Sequence, residues 1–257
     1  MLVAEERCGA CDAISKFSIR EGAVLLRDAV CEKCRCSLRT SDLLKEIYKL
    51  YDVKDVQGLR KSMNGKRILN AGSKGFVHNI LQGCSGEYIP SEYYDNWKSG
   101  EINLKTGILS VDLTNMPFEN ESLDLIISED VLEHVWDIEK ACSEIQRCLR
   151  KSGYHIFTIP IAEGMKTKNR IGNKNKVYHG DPIRSEGALV ISEFGLDFEE
   201  VLNKYGFATQ IKMCHKFYEP EETTSCDDSY DEYLKNMESM DKYFKYNSIV
   251  FICQRVE

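Results

Sequence analysis

Four cysteines near the start of the chain stand in two pairs, Cys8-Gly9-Ala10-Cys11 and Cys31-Glu32-Lys33-Cys34. Each pair can present two thiolates from one tight turn, and two such turns complete a tetrahedral Zn2+ site. Cys36 is a fifth thiol beside them and reads as a spectator that could substitute for Cys34. Further on, Asn70-Ala71-Gly72-Ser73-Lys74-Gly75 separates a short apolar run from a helical pattern. A strand that passes through a small-residue loop into a helix N-terminus is the usual entry to a nucleotide site in an open α/β sheet. Gly72 and Gly75 let the backbone turn tightly and approach a ligand closely, although two glycines alone suit a plain structural turn equally well. Glu92 follows about 20 residues later, where a carboxylate at a strand end accepts two hydrogen bonds from a ribose diol. Ser128 and Glu129 close the apolar run Leu123-Asp124-Leu125-Ile126-Ile127, again at a strand end, with helix capping as their alternative role. A candidate proton acceptor is His179, with Asp181 as orienting partner, in Tyr178-His179-Gly180-Asp181-Pro182. Loops of little regular structure are where function concentrates, while a turn alone would account for Gly180, Asp181 and Pro182.

These residues need elements to hold them. Between the cysteine pairs, Phe17-Ser18-Ile19-Arg20 and Ala23-Val24-Leu25-Leu26 flank Glu21-Gly22, a β-hairpin signal. Residues 1–38 therefore read as a zinc ribbon, too small to bury enough apolar surface without its metal. Leu43, Leu44, Ile47, Leu50 and Tyr51 recur at helical spacing, so 39–65 reads as a bridging helix and then a linker from Gly58 to Gly65. From Lys66 strands and helices alternate, which predicts an α/β domain over 66–257 with a mainly parallel sheet covered on both faces. Strands are expected at about 67–70, 86–90, 108–112, 123–128, 154–160, 208–216 and 246–254, and helices at about 75–83, 131–135, 138–150 and 195–205. Two stretches stand outside this framework. Residues 161–188 form a lid-like loop carrying Lys166, Lys168, Arg170, Lys174 and Lys176, and 219–245 is an acidic insertion with Tyr and Met spaced as on a helix.

A chain of 257 residues accommodates one large domain and a small appendage. It is 42% hydrophobic without an apolar run near the ~18 residues of a membrane span, and its start lacks the apolar core of a secretory signal. Eleven cysteines scattered through an α/β pattern suit reduced thiols and metal ligands, hence the cytoplasm. A formal charge of -7 argues against a protein built to coat nucleic acid or an anionic membrane.

Downstream of the glycine loop come Val111-Asp112-Leu113, Met116-Pro117-Phe118, Leu123 through Val135 with its Val131-Leu132-Glu133-His134-Val135 ending, and Gly153-Tyr154-His155-Ile156-Phe157-Thr158-Ile159-Pro160. From roughly Lys66 to Gln254 this succession resembles the class I S-adenosylmethionine-dependent methyltransferases. The resemblance implies a Rossmann-like sheet of seven strands, the last antiparallel, and S-adenosyl-L-methionine as methyl donor. It implies that the Asp112 carboxylate reaches the adenine amine and the Leu113 amide the ring edge. At Asn70 the family commonly has an acidic residue, so lost charge here, with Lys74 nearby, implies altered donor affinity. His134 matches a histidine that in the family either lies near the reaction or packs. His78 reads as facing solvent or packing locally, His155 as a core residue on a strand, and nothing places His215, at a late strand end, near the donor.

The ribbon, continuing through Arg35-Cys36-Ser37-Leu38-Arg39-Thr40, resembles the N-terminal module of a subgroup found with surface-polysaccharide genes. That implies O-methylation of a sugar, nucleotide sugar or other phosphorylated intermediate, a small anionic acceptor drawn in by the cationic loop. An rRNA or tRNA methyltransferase using Lys33, Arg35 and Arg39 of the ribbon is the alternative, and a non-catalytic donor-binding module the third. Phe157-Thr158-Ile159-Pro160 lacks the Asn/Asp-Pro-Pro-aromatic pattern of base amino-group methylases, and no basic-aromatic interleaving suited to stacking bases is present.

Overall fold

The computed structural model describes residues 2–19, 26–161, 166–181, 183–215, 225–228 and 248–256. Its first strands, β1 (Leu2–Arg7), β2 (Ile14–Ser18) and β3 (Val30–Cys31), pair antiparallel in that order. β1 was not expected. It exists because the first cysteine turn reverses the chain and sets Arg7 opposite Ile14. The hairpin arm expected at 23–26 lies outside the described residues apart from Leu26, which opens a short 3-10 turn ending at Asp28.

Helix α1 (Leu38–Leu50) is capped by Ser37, whose side chain accepts from Thr40 N. Helix α2 (Val56–Ser62) is capped in the same way by Asp55, so most of the expected linker is helical. Next come β4 (Arg67–Asn70), α3 (Gly75–Leu81), β5 (Glu87–Glu92), β6 (Leu109–Ser110) and β7 (Leu123–Glu129). A single 3-10 turn, Leu132–His134, replaces the helix expected at 131–135. Then follow α4 (Ile138–Cys148) and β8 (Leu149–Thr158).

The expected lid loop is held by two short antiparallel ladders, β9 (Lys168–Asn169) with β12 (Ser192–Glu193) and β10 (Tyr178–His179) with β11 (Ala188–Leu189). Helix α5 (Phe198–Lys204), β13 (Phe207–His215), β14 (Ser225–Asp228) and β15 (Ile249–Arg255) complete the chain. The main sheet has the order β14-β13-β15-β8-β7-β4-β5-β6. Strands β8, β7, β4, β5 and β6 run parallel, and β15 is antiparallel to both β8 and β13. Seven of these strands are the expected set. The eighth, β14, belongs to the expected acidic insertion, whose remaining residues lie outside the described ones.

The strands read as continuous apolar runs because both faces of the sheet are covered. Ile68, Leu125, Ile156 and Val250 face α1 and α3 on one side, while Leu69, Ile126, Phe157 and Phe251 face α4 and α5 on the other. Phe157 and Phe251 stack with centroids 4.9 Å apart, and each such buried side chain contributes about 1.5–3 kcal/mol. Helix α1 thus forms part of the sheet's cover through Leu43, Leu44 and Ile47. Among the described residues no helix is long and apolar enough to cross a membrane.

Candidate active site

At the C-terminal edge of the parallel strands lies a cavity of about 880 Å³. β4 delivers Asn70 to its wall, followed by Ala71, Gly72 and Lys74. The Asn70 amide donates to the Gly72 carbonyl at 2.7 Å and to the Tyr88 hydroxyl at 3.0 Å. A carbonyl only accepts, so the amide nitrogen must face it: this position needs a donor, which an acidic residue is not. Gly75, at φ 85°, starts α3 in the left-handed region that favours glycine. A side chain at Gly72 would meet only Asn70 Nδ2, at 3.8 Å, so packing does not require this glycine.

Glu92, ending β5, accepts at one oxygen from Ser73 N (2.8 Å) and Ser73 Oγ (2.7 Å), which leaves its second oxygen for a ligand. Asp112 Oδ1 accepts from Thr114 N (2.8 Å) and Oγ1 (2.7 Å), and Asp112 and Leu113 both line the cavity. Ser73 and Gly75 shape the loop but are not wall residues. Ser128 is not one either. It is fully buried under the sheet, 2.9 Å from His155 Nε2, and burial pushes His155 down to about 3. One residue further, β7 points the opposite way, and Glu129 does reach the wall.

Glu129 and Asp130 meet the ribbon and α1. Asp130, at φ 53°, is ion-paired to Arg27 and, at 2.9 Å, to Arg39; Thr40 donates to Glu129. Burial would raise the Asp130 carboxyl, but the two guanidiniums outweigh it and hold the group below its ordinary value. Burial prevails at Glu129, which sits above its ordinary value. Arg27 and Arg39 lie on the cavity wall, so the ribbon side of the molecule closes the pocket.

His134 and His179 also line the cavity, their rings edge-on with centroids 5.3 Å apart. The carboxylate beside His179 is not Asp181. Asp181 accepts from Ile183 N and Arg184 N and is ion-paired to the Arg184 guanidinium at 2.7 Å. Glu133 stands there instead, its Oε1 3.5 Å from His179 Nδ1 and 3.7 Å from His134 Nε2. The cationic run of the loop is absent from the cavity wall. Lys166, Lys168, Lys174 and Lys176 are exposed, and Arg170 pairs with Glu193. The loop cation that does line the pocket is Arg184, over the Tyr93 ring at 5.7 Å.

At the ribbon's tip, Cys8, Cys11, Cys31 and Cys34 bring their sulfurs within 4.8 Å of one another. Cys8 and Cys34 are 3.7 Å apart, and Cys11 and Cys31 4.0 Å. Four sulfurs placed about 2.3 Å from one Zn2+ stand about 3.8 Å apart, so the donor set fits the ion. Cys36 is not part of this set; it hydrogen-bonds to Cys8 and is the main cause of that thiol falling to about 4.

Residues 90–157 match the family described as the methyltransferase domain. Over that stretch the chain is similar to a methyltransferase domain. Among curated relatives, a glycine/sarcosine/dimethylglycine N-methyltransferase of Actinopolyspora halophila is 25% identical over 127 residues, which cover 46% of this chain and 22% of the relative. A probable S-adenosylmethionine-dependent methyltransferase of Mycobacterium tuberculosis is 23% identical over 108 residues, 40% of this chain and 39% of the relative. The matched stretch thus spans well under half of either relative. Among solved structures, phosphoethanolamine N-methyltransferase 2 of Haemonchus contortus, in complex with S-adenosyl-L-methionine, superposes with TM-score 0.46 and 16% identity, covering 82% of this chain and 51% of that one.

Arg27, Arg39 and Arg184 line the pocket without having been read from the sequence as pocket residues, and Glu133 stands beside the two wall histidines. Glu133 adjoins His134 and carried a visible signal, a carboxylate in an otherwise apolar segment. The arginines carried none, because their place depends on contacts far along the chain.

Proposed function

We propose that this chain transfers a methyl group from S-adenosylmethionine to a hydroxyl oxygen of a small, sugar-like acceptor. The observation that carries the reading is a single cavity walled both by Gly72, Glu92 and Asp112 and by His134 and His179. S-adenosylmethionine, when bound, supplies an electrophilic methyl on a sulfonium. Glu92 would hold the ribose diol, Asp112 and Leu113 the adenine, and Gly72 would admit the ligand against the backbone. His134 and His179, with Glu133, stand where an acceptor hydroxyl can be oriented and relieved of its proton. The four-cysteine ribbon would hold a structural Zn2+ and so keep Arg27 and Arg39 in the wall.

The wall carries seven carboxylates, Asp28, Glu92, Asp112, Glu129, Asp130, Asp181 and Glu193, against Arg27, Arg39, Lys74 and Arg184. Such a surface repels a polyanion, which supports a small acceptor over RNA. The surface-glycan assignment rests on the ribbon's resemblance. Calorimetry with S-adenosylmethionine tests the donor site. Glu92→Gln, which keeps an oxygen for Ser73 and removes the charge, should weaken binding roughly 10- to 100-fold, the worth of a charge-assisted hydrogen bond. Wild-type protein without measurable donor binding refutes the reading. Labelled methyl transfer into free sugars, nucleotide sugars, glycine-type amines and bulk RNA then identifies the acceptor class.

A further inference from the structure

We propose that Glu133, His134 and His179 form a binding site for one divalent first-row transition cation at the acceptor side of the cavity. Glu133 is 1% exposed, and both of its carboxylate oxygens are buried without a hydrogen-bond partner. An acidic group in that state carries a penalty of several kcal/mol unless something positive compensates it. The two imidazole nitrogens nearest it, at 3.5 and 3.7 Å, are beyond hydrogen-bonding distance but at the separation of neighbouring ligands around one ion. Ligands about 2.1 Å from a tetrahedral ion stand about 3.4 Å apart. The three donor atoms all lie within 4.8 Å of one another.

The imidazole of His134 is set for the role. Its Nδ1 lies 2.9 Å from the Leu189 carbonyl, which only accepts, so Nδ1 carries the proton and Nε2 presents its lone pair toward Glu133. His179 comes from β10 and Leu189 from β11, and these strands pair, so one ladder places both the ligand and the group that orients its neighbour. Two imidazoles and a carboxylate suit Zn2+, Mn2+, Fe2+, Co2+ or Ni2+ rather than Ca2+, and three protein ligands leave positions open for others. Because His134 and His179 line the cavity, those positions open toward the acceptor. The consequence for catalysis rests on the methyl-transfer reading. An acceptor hydroxyl bound to the cation loses its proton to cavity water more readily; the oxygen–carbon bond then forms as the carbon–sulfur bond breaks, and the donor leaves as a neutral thioether.

Electron paramagnetic resonance of Mn2+ titrated into the full chain, without donor, tests the site. Mn2+ is the probe because a four-thiolate cluster does not favour it. Wild-type protein should remove one equivalent of free Mn2+ per chain. Glu133→Gln and His179→Ala should each weaken that binding by more than the roughly 10- to 100-fold that even outer-shell losses cause. His179 has a 39% exposed side chain, so its truncation spares the core and decides the matter if Glu133→Gln does not fold. No stoichiometric Mn2+ binding by wild type, or binding by His179→Ala equal to wild type, overturns the proposal. Donor calorimetry is read separately, so failure of the cation site and failure of the methyltransferase reading are distinguishable.

Discussion

Asn70 shows how one atom's chemistry settles a residue's identity. The family's usual acid at this position would bring a carboxylate oxygen to where an amide N–H now donates to the Gly72 carbonyl at 2.7 Å. Two acceptors at that distance repel, and the bond to the Tyr88 hydroxyl would have to reverse. Asn70→Asp is therefore expected to loosen the donor loop, costing about 1–3 kcal/mol of stability, and to weaken S-adenosylmethionine binding rather than strengthen it. Urea unfolding and donor calorimetry on the variant check this; tighter donor binding at unchanged stability would refute it. The resemblance alone implied only an altered donor affinity, because it described the charge of the side chain and not its neighbours. Asp181 teaches the same lesson, since a His-Gly-Asp turn puts the two side chains close in sequence while Arg184 takes the carboxylate away.

Among the elements, the ribbon and α1 are more than an appendage. Gly9 N donates to Ser41 Oγ at 2.9 Å, and the Tyr48 hydroxyl donates to Gly9 O at 2.6 Å, so the first cysteine turn is seated on α1. A side chain at Gly9 would lie 2.3 Å from the Ser41 carbonyl, which is why glycine is needed there. Lys45 on α1 reaches back to Glu6 of β1 at 2.7 Å. Arg27 lies between the cysteine pairs and Arg39 on α1, and both are paired with Asp130. Removing metal from the four-cysteine cluster should therefore act twice. Chelation, or Cys34→Ser, is expected to lower the denaturant midpoint and to weaken donor binding in step, because Asp130 and Glu129 lose their cations. Elemental analysis with about one Zn2+ per chain should accompany the intact state. Full donor affinity in a metal-free ribbon would show that the wall does not depend on it.

For the molecule as a whole, acid stability should carry the signature of His155. Burial holds it near pKa 3 in the folded state, against about 6.5 when unfolded. Above pH 6.5 both states are neutral there and the group contributes no pH dependence. Below it only the unfolded chain takes up a proton, so folding stability falls by up to ~1.4 kcal/mol per pH unit until about pH 3. His155→Gln keeps a hydrogen-bonding group toward Ser128 and removes the titration. Between pH 7.5 and 5 the wild type should lose about 2 kcal/mol more than the variant, read by urea unfolding at both pH values. Equal losses would show that His155 is not the group responsible.

Strand positions were legible because a sheet buried on both faces writes itself as unbroken apolar runs. Arg67–Asn70 and Leu123–Glu129 stand where the residues alone put them. The cysteine pairs were read from their spacing, and the fold brings their four sulfurs within 4.8 Å of one another; Gly72 and Glu92 were read from local turn chemistry, and both line the cavity. Burial periodicity likewise marked His155 as a core residue, but it did not show that Ser128 joins it beneath the sheet, since neighbouring strand residues point to opposite faces. The tertiary structure alone decided which distant groups meet. Arg27 and Asp130 are 103 positions apart, and His134 is oriented by a carbonyl 55 positions away. It also turned four loop lysines outward and put Glu133 between two histidines. Side-chain type and spacing describe what a residue can do; the closure of the chain determines what it touches, and the chemistry of this pocket lies in those contacts.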